Sequence, residues 1–516
     1  MTAPLTPPGT RNPADLTPLP PVAESTPEEI HAAVARARAA QPAWAALSLD
    51  ERAARALAFA RRLTERRAEI AAILSQETGR SPTECLMSEI VTSISFAKAA
   101  IRAARAALAP ERVKLPALEF PGKKVVVEAV PRGVIGIIAP WNYPVGNFNK
   151  SLYPALLAGN GVVLKPSEHT PRAGAWIAAI AGEIFPAGLV GLAQGAAAVG
   201  KSLLDSGIDA VVFTGSVASG KRVAVAAAER LIPCSVELGG KDAAIVLADC
   251  DLDRTVIGVA NWAIHNAGQN CAAIERVYVE DAIADAFVDR LAKVVGKLRV
   301  APHEGQDPPD LGPMQNEMQL RIVESHVAEA RDKGAKVLCG GAPTGRGWGY
   351  QPTVLDRCDH GMRVVTEETF GPVIAVVRVK DVEEAIRLAN DSHYGLNGSV
   401  WTRDLERGAK LARRLEVGVA LVNNHAVTGV MPELPWTGTK DTGFGVASSR
   451  HSYPTFVRRR TVFVDSMKDP EAFWFPFNAD MTTFAEKVAQ MSLGSLGATL
   501  SLLGLMKKRV KAIKEF

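Results

Sequence analysis

Apolar residues recur with a helical period in the first part of the chain. From residue 27 to about residue 109 the sequence is rich in alanine and arginine, and its apolar positions follow the helical pattern, as in Glu51–Leu74. We expect scaffold helices there. Residues 1–22 are rich in proline and threonine and are predicted to form a disordered or loosely draped arm.

Short apolar runs alternate with helical segments between residues 123 and 245. The predicted strands lie at 123–128, 133–139, 161–165, 210–214 and 235–238. Because the strands are apolar on both faces and helices separate them, the pattern indicates a parallel sheet covered on both sides, a Rossmann-like α/β architecture. Residues 251–425 alternate again, with a strand at 276–279, and predict a second α/β domain.

Composition narrows the class of protein. The 516 residues are 47% hydrophobic and 22% charged, the balance of a globular enzyme. The formal charge of +4 is spread along the chain, so nucleic acid is not expected as a partner. The six cysteines show no CxxC pair, and residues 1–22 contain no apolar signal segment, so neither a disulfide framework nor a metal site is expected and a cytoplasmic location is predicted.

One cysteine lies in a sequence that suggests chemistry. Cys271 ends the segment Gly268-Gln269-Asn270-Cys271, where small and polar neighbours indicate a thiol on a turn that a substrate can reach. Such a thiol attacks a carbonyl group when its pKa is lowered or when a base lies near it. A lone cysteine is more often an inert core residue, so the prediction depends on companion residues.

Two polar residues, one at the end of a predicted strand and one just after another, are the candidate companions of Cys271. Glu237 precedes the Gly239-Gly240 turn, at the carboxyl edge of the parallel sheet where ligands bind in this architecture. Asn142 follows the strand at 133–139, and its side-chain amide could stabilise an oxyanion. Each also has a simpler interpretation, a solvated strand end for Glu237 and a helix cap for Asn142.

A turn between a strand and a helix is the candidate phosphate site. Phe213-Thr214-Gly215-Ser216, with Gly220 further on, would present backbone N–H groups and a helix N-terminus to a pyrophosphate. It is not the GxGxxG fingerprint. Lys165-Pro166-Ser167-Glu168 could contact a ribose, and Glu368-Thr369-Phe370 offers another carboxylate beside an aromatic ring.

Together these motifs resemble the aldehyde dehydrogenase superfamily from about residue 25 to residue 465. They occur in the family's order with similar separations, and are IAPWN ending at Asn142, LKPSE ending at Glu168, FTGS at 213–216, ELGGKD from Glu237, GQNC ending at Cys271, and ETFGPV from Glu368.

The resemblance implies a reaction. Cys271 would attack the aldehyde carbon, and the Asn142 side chain and the Cys271 backbone N–H would hold the oxyanion. After hydride transfer to the nicotinamide, Glu237 would activate the water that hydrolyses the thioester to a carboxylic acid. A CoA-acylating dehydrogenase and a catalytically silent structural protein on the same fold are the alternatives.

The resemblance also implies NAD as the cofactor, with NADP as the second choice. Lys165 and Glu168 would contact the adenosine ribose, and Glu368 the nicotinamide ribose. A carboxylate at Glu168 disfavours a 2′-phosphate, which favours NAD. The implied cofactor residues are Trp141, Lys165, Glu168, Phe213, Gly215, Ser216, Gly220, Glu368 and Phe370.

By the same resemblance, residues 23–112 and 132–238 form a cofactor-binding domain and residues 239–425 a catalytic domain. Residues 113–131 and 426–465 would form a small oligomerisation arm and loops at the substrate mouth. A homodimer or homotetramer is expected. 

Some residues near the implied substrate mouth depart from the family pattern. Pro435-Trp436-Thr437-Gly438-Thr439-Lys440 stands where Pro-Phe-Gly-Gly-x-Lys is usual, and Asn423-Asn424-His425 is an uncommon lining. By resemblance Asn149, His265 and Asn270 would lie near the tunnel and make it polar. These departures leave the aldehyde unidentified.

The resemblance does not cover residues 466–516. No charge occurs from Val488 to Met506, and a basic segment follows. The pattern predicts an amphipathic helix that packs on a partner subunit or makes peripheral membrane contact through residues 488–514. Its apolar positions with helical spacing are Leu493, Leu496, Leu500, Leu503 and Val510.

Overall fold

A computed structural model describes residues 11–117, 120–302 and 304–516. Residues 1–10 of the predicted N-terminal arm therefore lie outside the described residues. From residue 11 the arm forms a turn in which Arg11 and Pro18 make an antiparallel bridge and Ala14 is buried.

The helices alternate with strands along most of the described chain. The α-helices in the described residues are α1 Pro27–Ala46, α2 Leu49–Glu65, α3 Arg67–Thr78, α4 Pro82–Cys85, α5 Ser93–Leu108, α6 Gly146–Leu157, α7 Pro171–Ile184, α8 Ala197–Asp205, α9 Val217–Glu229, α10 Leu252–Ile264, α11 Asp281–Val295, α12 Glu317–Asp332, α13 Arg363–Thr366, α14 Val382–Asn390, α15 Leu405–Ala412, α16 Ala479–Ser492 and α17 Leu496–Glu515.

The strands are short and belong to four sheets. In the described residues they are β1 Glu111–Val113, β2 Lys123–Pro131, β3 Val134–Ile138, β4 Gly161–Lys165, β5 Val190–Leu192, β6 Ala210–Thr214, β7 Cys234–Glu237, β8 Asp242–Val246, β9 Ile274–Glu280, β10 Lys336–Cys339, β11 Thr353–Asp356, β12 Val373–Val379, β13 Tyr394–Gly395, β14 Asn397–Trp401, β15 Val419–Val422, β16 Thr439–Lys440, β17 Gly443–Phe444 and β18 Val457–Asp465.

The predicted N-terminal helices are confirmed, with one difference. Capping boxes begin α1 at Thr26 and α2 at Ser48, where each hydroxyl accepts from a backbone N–H three residues on. The segment predicted as one helical run, Glu51–Leu74, is two helices, because the backbone leaves helical geometry at Arg66 (φ −92°, ψ 23°). Arg66 then hydrogen-bonds to Glu69 in the first turn of α3.

The first large sheet has the order β17-β7-β6-β3-β4-β5, in which all pairs except β17 with β7 are parallel. This confirms the predicted Rossmann-like sheet. The chain leaves β3 toward β4 and β5 on one side and returns to β6 and β7 on the other. The loops after β3 and β6 therefore flank a crevice at the carboxyl edge, where ligands bind in such sheets.

The second large sheet has the order β10-β11-β12-β9-β8-β14-β15 and is parallel except for β10 with β11. Its strands β8 and β14 are buried along their whole length. Only Leu238 to Lys241 separate β7 of the first sheet from β8 of the second, so the two sheets are joined beside Glu237.

The chain divides into two compact units. The first extends up to Leu108 and includes Val130–Arg458, so it contains both predicted α/β domains and the loops after residue 425. The second holds Ala109–Ala129 and Arg459–Phe516. The second unit therefore contains most of the segment 113–131, the end of 426–465 and the C-terminal extension. The assignment of 113–131 and 426–465 to an oligomerisation arm and substrate-mouth loops stays a prediction.

The second unit consists of the sheet β1-β2-β18 and two C-terminal helices. Lys123 contacts the carboxylates of Asp465 and Glu471. The sequence predicted one amphipathic helix in the extension, whereas the structure has α16 and α17 with a turn between them. Gly494, with φ +87°, supplies the left-handed conformation of that turn.

Across the three described stretches of the chain, no helix combines the length and the apolar character that crossing a bilayer requires.

Candidate active site

Two glycines bring the predicted catalytic loops together. A Cβ at Gly240 would overlap the backbone carbonyl oxygen of Cys271, and a Cβ at Gly239 would overlap the carboxylate of Glu368. The turn after Glu237 therefore needs glycine because the neighbouring segments approach its backbone too closely for a side chain. A positive φ is not the reason. As a result, Glu237, Cys271 and Glu368 come from three distant segments to one place at the joint between the sheets.

The loop before Cys271 has an unusual backbone that side chains hold in position. Asn266 and Ala267 have φ of 55° and 54°, and Gly268 has φ +69°. The Asn266 Nδ2 donates to the carbonyl oxygens of Asn142 at 3.0 Å and of Gln269 at 3.1 Å. Because strained backbone persists only where surrounding contacts determine it, this loop has one defined shape.

Cys271 is half-buried, with its Sγ 3.8 Å from the Asn270 Oδ1. Burial raises the pKa of the thiol well above its usual range, and the charge of Glu237 raises it further. The thiol is therefore protonated at neutral pH, and forming the thiolate requires a nearby proton acceptor.

The carboxylate of Glu237 lies within hydrogen-bonding reach of the Cys271 thiol. Burial raises the pKa of its carboxyl group, which makes it a stronger base than an exposed glutamate. Its Oε1 accepts a hydrogen bond from the Trp436 Nε1 at 3.2 Å. The simpler interpretation of Glu237 as a solvated strand end does not describe this environment.

Lys150 and Trp436 complete the group around Glu237, and the sequence reasoning did not single out Lys150. The Lys150 Nζ lies 4.9 Å from the centroid of the Trp436 ring, a cation–π contact. The positive charge of Lys150 lowers the pKa of both Glu237 and Cys271, against the effect of burial. The signal for this cluster was Trp436, at a position where the family usually has phenylalanine.

Asn142 is buried against the loop that leads to Cys271. Its Nδ2 donates to the Gln269 carbonyl oxygen at 3.2 Å. Its Oδ1 accepts from the Tyr143 backbone N–H at 3.1 Å and from the Asn147 Nδ2 at 3.2 Å. These contacts fix the amide with its N–H groups toward the Cys271 loop.

The predicted ribose-binding residues lie at the end of β4. The Lys165 Nζ is buried, donates to the Pro166 carbonyl oxygen at 3.0 Å and lies 3.6 Å from the Glu168 carboxylate. Burial lowers the pKa of Lys165. The pair leaves a cationic N–H group and a partly exposed carboxylate available to hydroxyl groups.

The predicted phosphate turn follows β6 as expected. Ser216 caps α9, and its hydroxyl accepts from the Ser219 N–H at 3.4 Å. A Cβ at Gly215 would meet the ring of Phe213, and one at Gly220 would overlap Leu238. The glycines therefore keep the turn compact and the helix N-terminus close to the sheet.

Glu368 also contacts the Gly239-Gly240 turn. Its Oε1 accepts from the Gly240 N–H at 3.0 Å, and burial raises the pKa of its carboxyl to about 8, with the charge of Glu275 adding to the rise. Glu275, which forms a buried ion pair with Lys241, also accepts from the Phe370 N–H at 2.9 Å. Sequence reasoning missed this supporting pair.

The aromatic residues predicted for the cofactor cleft contact each other. The rings of Trp141 and Phe370 are perpendicular, with centroids 5.4 Å apart. Trp141 also approaches His169 edge to face. The structure thus links the loop after β3 to the segment that carries Glu368.

These groups match what a nicotinamide dinucleotide needs. The compact Gly215 turn at the N-terminus of α9 suits a pyrophosphate, the Lys165–Glu168 pair suits a ribose, and the buried Glu368 carboxyl can hydrogen-bond to ribose hydroxyls.

Other residues expected at the substrate mouth are less open than the sequence suggested. His425 is fully buried beside Ser399, 2.9 Å from its hydroxyl, and burial lowers its pKa to about 3. Asn424 accepts from the Trp262 Nε1 at 2.9 Å. His265 stacks on Tyr143 with ring centroids 6.4 Å apart. The polar side chains of His425 and Asn424 are therefore engaged in hydrogen bonds within the protein.

Comparisons with known proteins identify the family of this chain. The sequence matches the Aldehyde dehydrogenase family over residues 7–462. The 4,4′-diapolycopene aldehyde oxidase of Methylomonas sp is 35% identical over 458 residues, covering 88% of this chain and 85% of that protein. A Mycobacterium ulcerans protein, provisionally named NADP-dependent succinate-semialdehyde dehydrogenase 2, is 38% identical over 415 residues, covering 79% of this chain and 78% of that one.

A crystal structure of a Mycobacterium tuberculosis aldehyde dehydrogenase complexed with NAD+ has the same fold, with a TM-score of 0.83 and 33% identity over 89% of this chain and 95% of that one. The match extends over most of both chains, and it includes the segments that carry Cys271, Glu237 and Asn142. The chain therefore belongs to the aldehyde dehydrogenase family, as an NAD(P)-dependent enzyme that oxidises an aldehyde.

Proposed function

We propose that the enzyme converts an aldehyde to the free carboxylic acid through a thioester on Cys271, with Glu237 as the base that activates water. The observation that carries this proposal is the Gly239-Gly240 turn, which holds the loops of Glu237 and Cys271 in contact. This contact would hold the nucleophile Cys271 and the base Glu237, which come from separate segments, at one reaction centre.

The first step forms the carbon–sulfur bond. Glu237 takes the proton of the Cys271 thiol, and the sulfur adds to the aldehyde carbon while the carbonyl oxygen becomes an oxyanion. One N–H of Asn142 is directed to Gln269. Its second N–H, with the backbone N–H of Cys271, would donate to the oxyanion, a contribution typically worth about 2.7–4 kcal/mol.

The second stage releases the acid. NAD(P)+, when bound by Lys165, Glu168, Ser216 and Glu368, supplies the acceptor for the hydride that leaves the aldehyde carbon. The product on the enzyme is then a thioester of Cys271. Glu237 releases the thiol proton to solvent before this stage and then removes a proton from water. The hydroxide adds to the thioester carbon, and the carbon–sulfur bond breaks to give the carboxylic acid and the Cys271 sulfur, which takes the proton back from Glu237.

The cluster of Lys150, Trp436 and Glu237 supports a role for Lys150 in holding the base ionised. Lys150→Met removes the charge that lowers the pKa of Glu237 and Cys271. Both pKa values then rise, so the active forms require a higher pH. We expect kcat/KM to fall roughly tenfold near pH 7 and to recover at alkaline pH.

The pH profile of NAD(P)H formation measures this effect, and Lys150→Arg is the matched control because it keeps the cation. The exposed Lys201→Met change, on the surface of α8, should leave the profile unchanged. If the acid limb of the pH profile is the same in Lys150→Met as in the wild type, Lys150 does not lower the pKa of Glu237 or Cys271.

A CoA-acylating reaction is the second candidate, and the product distinguishes it. We expect the wild-type enzyme to form the free acid, with one NAD(P)H for each aldehyde, in the absence of CoA. Mass spectrometry of the product and absorbance of NAD(P)H measure this ratio. Strict dependence of turnover on CoA, with an acyl-CoA product, would contradict the role proposed for Glu237.

For the cofactor, we propose a preference for NAD, because the Glu168 carboxylate beside Lys165 would repel a 2′-phosphate. The relatives span both cofactors, one crystallised with NAD+ and one named for NADP. We also propose a homodimer or homotetramer in the cytoplasm, as is general for the family.

A further inference from the structure

The C-terminal extension ends in a helical hairpin that the dehydrogenase reaction does not use. Asp480 near the start of α16 lies 2.6 Å from Lys508 near the end of α17, so the two helices run antiparallel. Residues 493–495 form the turn between them. The hairpin lies entirely within the second unit.

The turn end of the hairpin is apolar and exposed. No residue from 488 to 506 is charged, and this stretch includes the end of α16, the turn and the first half of α17. Ala498 and Leu502 are buried, whereas four leucines face outward. Their exposed fractions are 88% for Leu493, 81% for Leu496, 76% for Leu500 and 64% for Leu503. An exposed apolar surface of this kind marks an interaction site.

The opposite end of α17 is cationic. Lysines occupy positions 507, 508, 511 and 514, with only Glu515 as an acidic residue in the same stretch. Lys508, Lys511 and Lys514 pair with Asp480, Glu515 and Asp469, whereas Lys507 makes no ion pair with any residue that the structure describes. The side chains of these three paired lysines remain more than half exposed. The apolar surface therefore ends at a band of positive charge.

Aromatic side chains lie at the same level as these lysines. The buried Arg509 of α17 donates to the carbonyl oxygens of Ala472 at 3.1 Å and Trp474 at 2.7 Å, and to the Asn478 Oδ1 at 3.0 Å. Arg509 thereby fixes the segment before α16 beside the basic end of α17. The exposed aromatic residues of that segment are Phe473, Trp474, Phe475 and Phe477.

The apolar stretch of α17 is about as long as one leaflet of a bilayer is deep, whereas the apolar part of α16 is shorter. Eleven residues separate Leu496 from Lys507, which is about 16 Å along a helix. Half of the hydrocarbon core of a bilayer is about 15 Å. Aromatic and basic residues are the groups that favour the interface between hydrocarbon and water. On α16 the charged Glu486 and Lys487 lie only about 9 Å from the turn, so the part that can enter hydrocarbon is the tip around Leu493, Leu496 and Leu500. The aromatic residues and the lysines of α17 lie further from the tip, toward the water.

We propose that the turn end of the hairpin, within residues 488–506, inserts into the outer part of one leaflet of an anionic membrane, with the lysines and the aromatic residues at the level of the lipid headgroups. Charge favours lipid over a second copy of the chain as the occupant. Residues 466–516 contain seven basic and five acidic residues, so another extension offers no excess of negative charge. Anionic headgroups do offer it.

Flotation of the full-length enzyme with phosphatidylcholine vesicles, with and without phosphatidylglycerol, tests the proposal. We expect the wild type to float with the anionic vesicles and more weakly with the neutral ones. Leu496→Ser with Leu500→Ser should weaken binding at least about tenfold, because two exposed leucines no longer enter the hydrocarbon. Lys507→Gln with Lys511→Gln should weaken binding to the anionic vesicles alone.

The matched control is Leu231→Ser with Leu405→Ser, two exposed leucines of the first unit, which should float like the wild type. NAD(P)H formation with a water-soluble aldehyde should be the same in all variants, which separates this proposal from the catalytic one. Failure of the wild type to float, or unchanged flotation of the Leu496/Leu500 variant, overturns the proposal. Light scattering measures the number of subunits. If the Leu496/Leu500 variant has fewer subunits than the wild type and the wild type does not bind vesicles, the apolar surface contacts a second copy of the chain instead of lipid.

Discussion

Replacement of Cys271 by alanine is expected to abolish NAD(P)H formation, with kcat lower by at least about a thousandfold. The reason is that the proposed carbon–sulfur bond forms on the Cys271 thiol, which lies beside Glu237 on the loop that Asn142 contacts. Removing the sulfur also prevents any covalent thioester. The measurement is the initial rate of NAD(P)H absorbance with saturating aldehyde, together with intact-protein mass spectrometry for the acyl adduct.

Cys339→Ala is the control for this experiment. Cys339 is also a free, half-buried thiol, but it lies at the end of β10 in the second sheet, where its Sγ contacts the Pro352 carbonyl oxygen. That variant should retain wild-type turnover. Substantial dehydrogenase activity in Cys271→Ala would remove the proposed mechanism, because the remaining groups cannot hold the substrate covalently.

The elements of the Rossmann-like sheet were predictable from local pattern. The strand Gly161–Lys165 has the predicted bounds, because a glycine precedes its apolar run and a proline follows it. The break at Arg66 was not predictable, since neither glycine nor proline interrupts the helical period there. Gly494 is a residue type that favours turns, but the leucines on both sides of it have helical spacing, so the sequence predicted a single helix.

The site was partly predictable for a different reason. Glu237 and Asn142 stand in recognisable motifs at the carboxyl ends of strands of one sheet, so their proximity followed from topology. Cys271 precedes a strand of the other sheet and was joined to them through the family resemblance. Lys150 has no such motif and lies within α6. Its role depends on Trp436, which is 199 residues from Glu237 along the chain and hydrogen-bonds to it. Only the folded structure brings these side chains together.

Glu237→Gln should separate the two halves of the reaction. The variant keeps the shape of the side chain and its hydrogen bond from Trp436 but can take no proton from water. The charge of Glu237 raises the pKa of Cys271, so its loss makes the thiolate easier to form and offsets the missing base in the attack step. We expect a burst of NAD(P)H close to one per active site, followed by turnover slower by roughly a hundredfold or more.

Stopped-flow absorbance measures the burst, and mass spectrometry should detect the accumulated acyl-enzyme. Hydroxylamine, a nucleophile that needs no activation by Glu237, should restore release of the acyl group. Glu237→Asp is the control, because it retains a carboxylate at a shorter reach and should keep part of the steady-state rate. Steady-state turnover in Glu237→Gln equal to that of the wild type would mean that another group activates water. Absence of a burst, with cofactor binding intact, would instead place the essential proton transfer of Glu237 before hydride transfer.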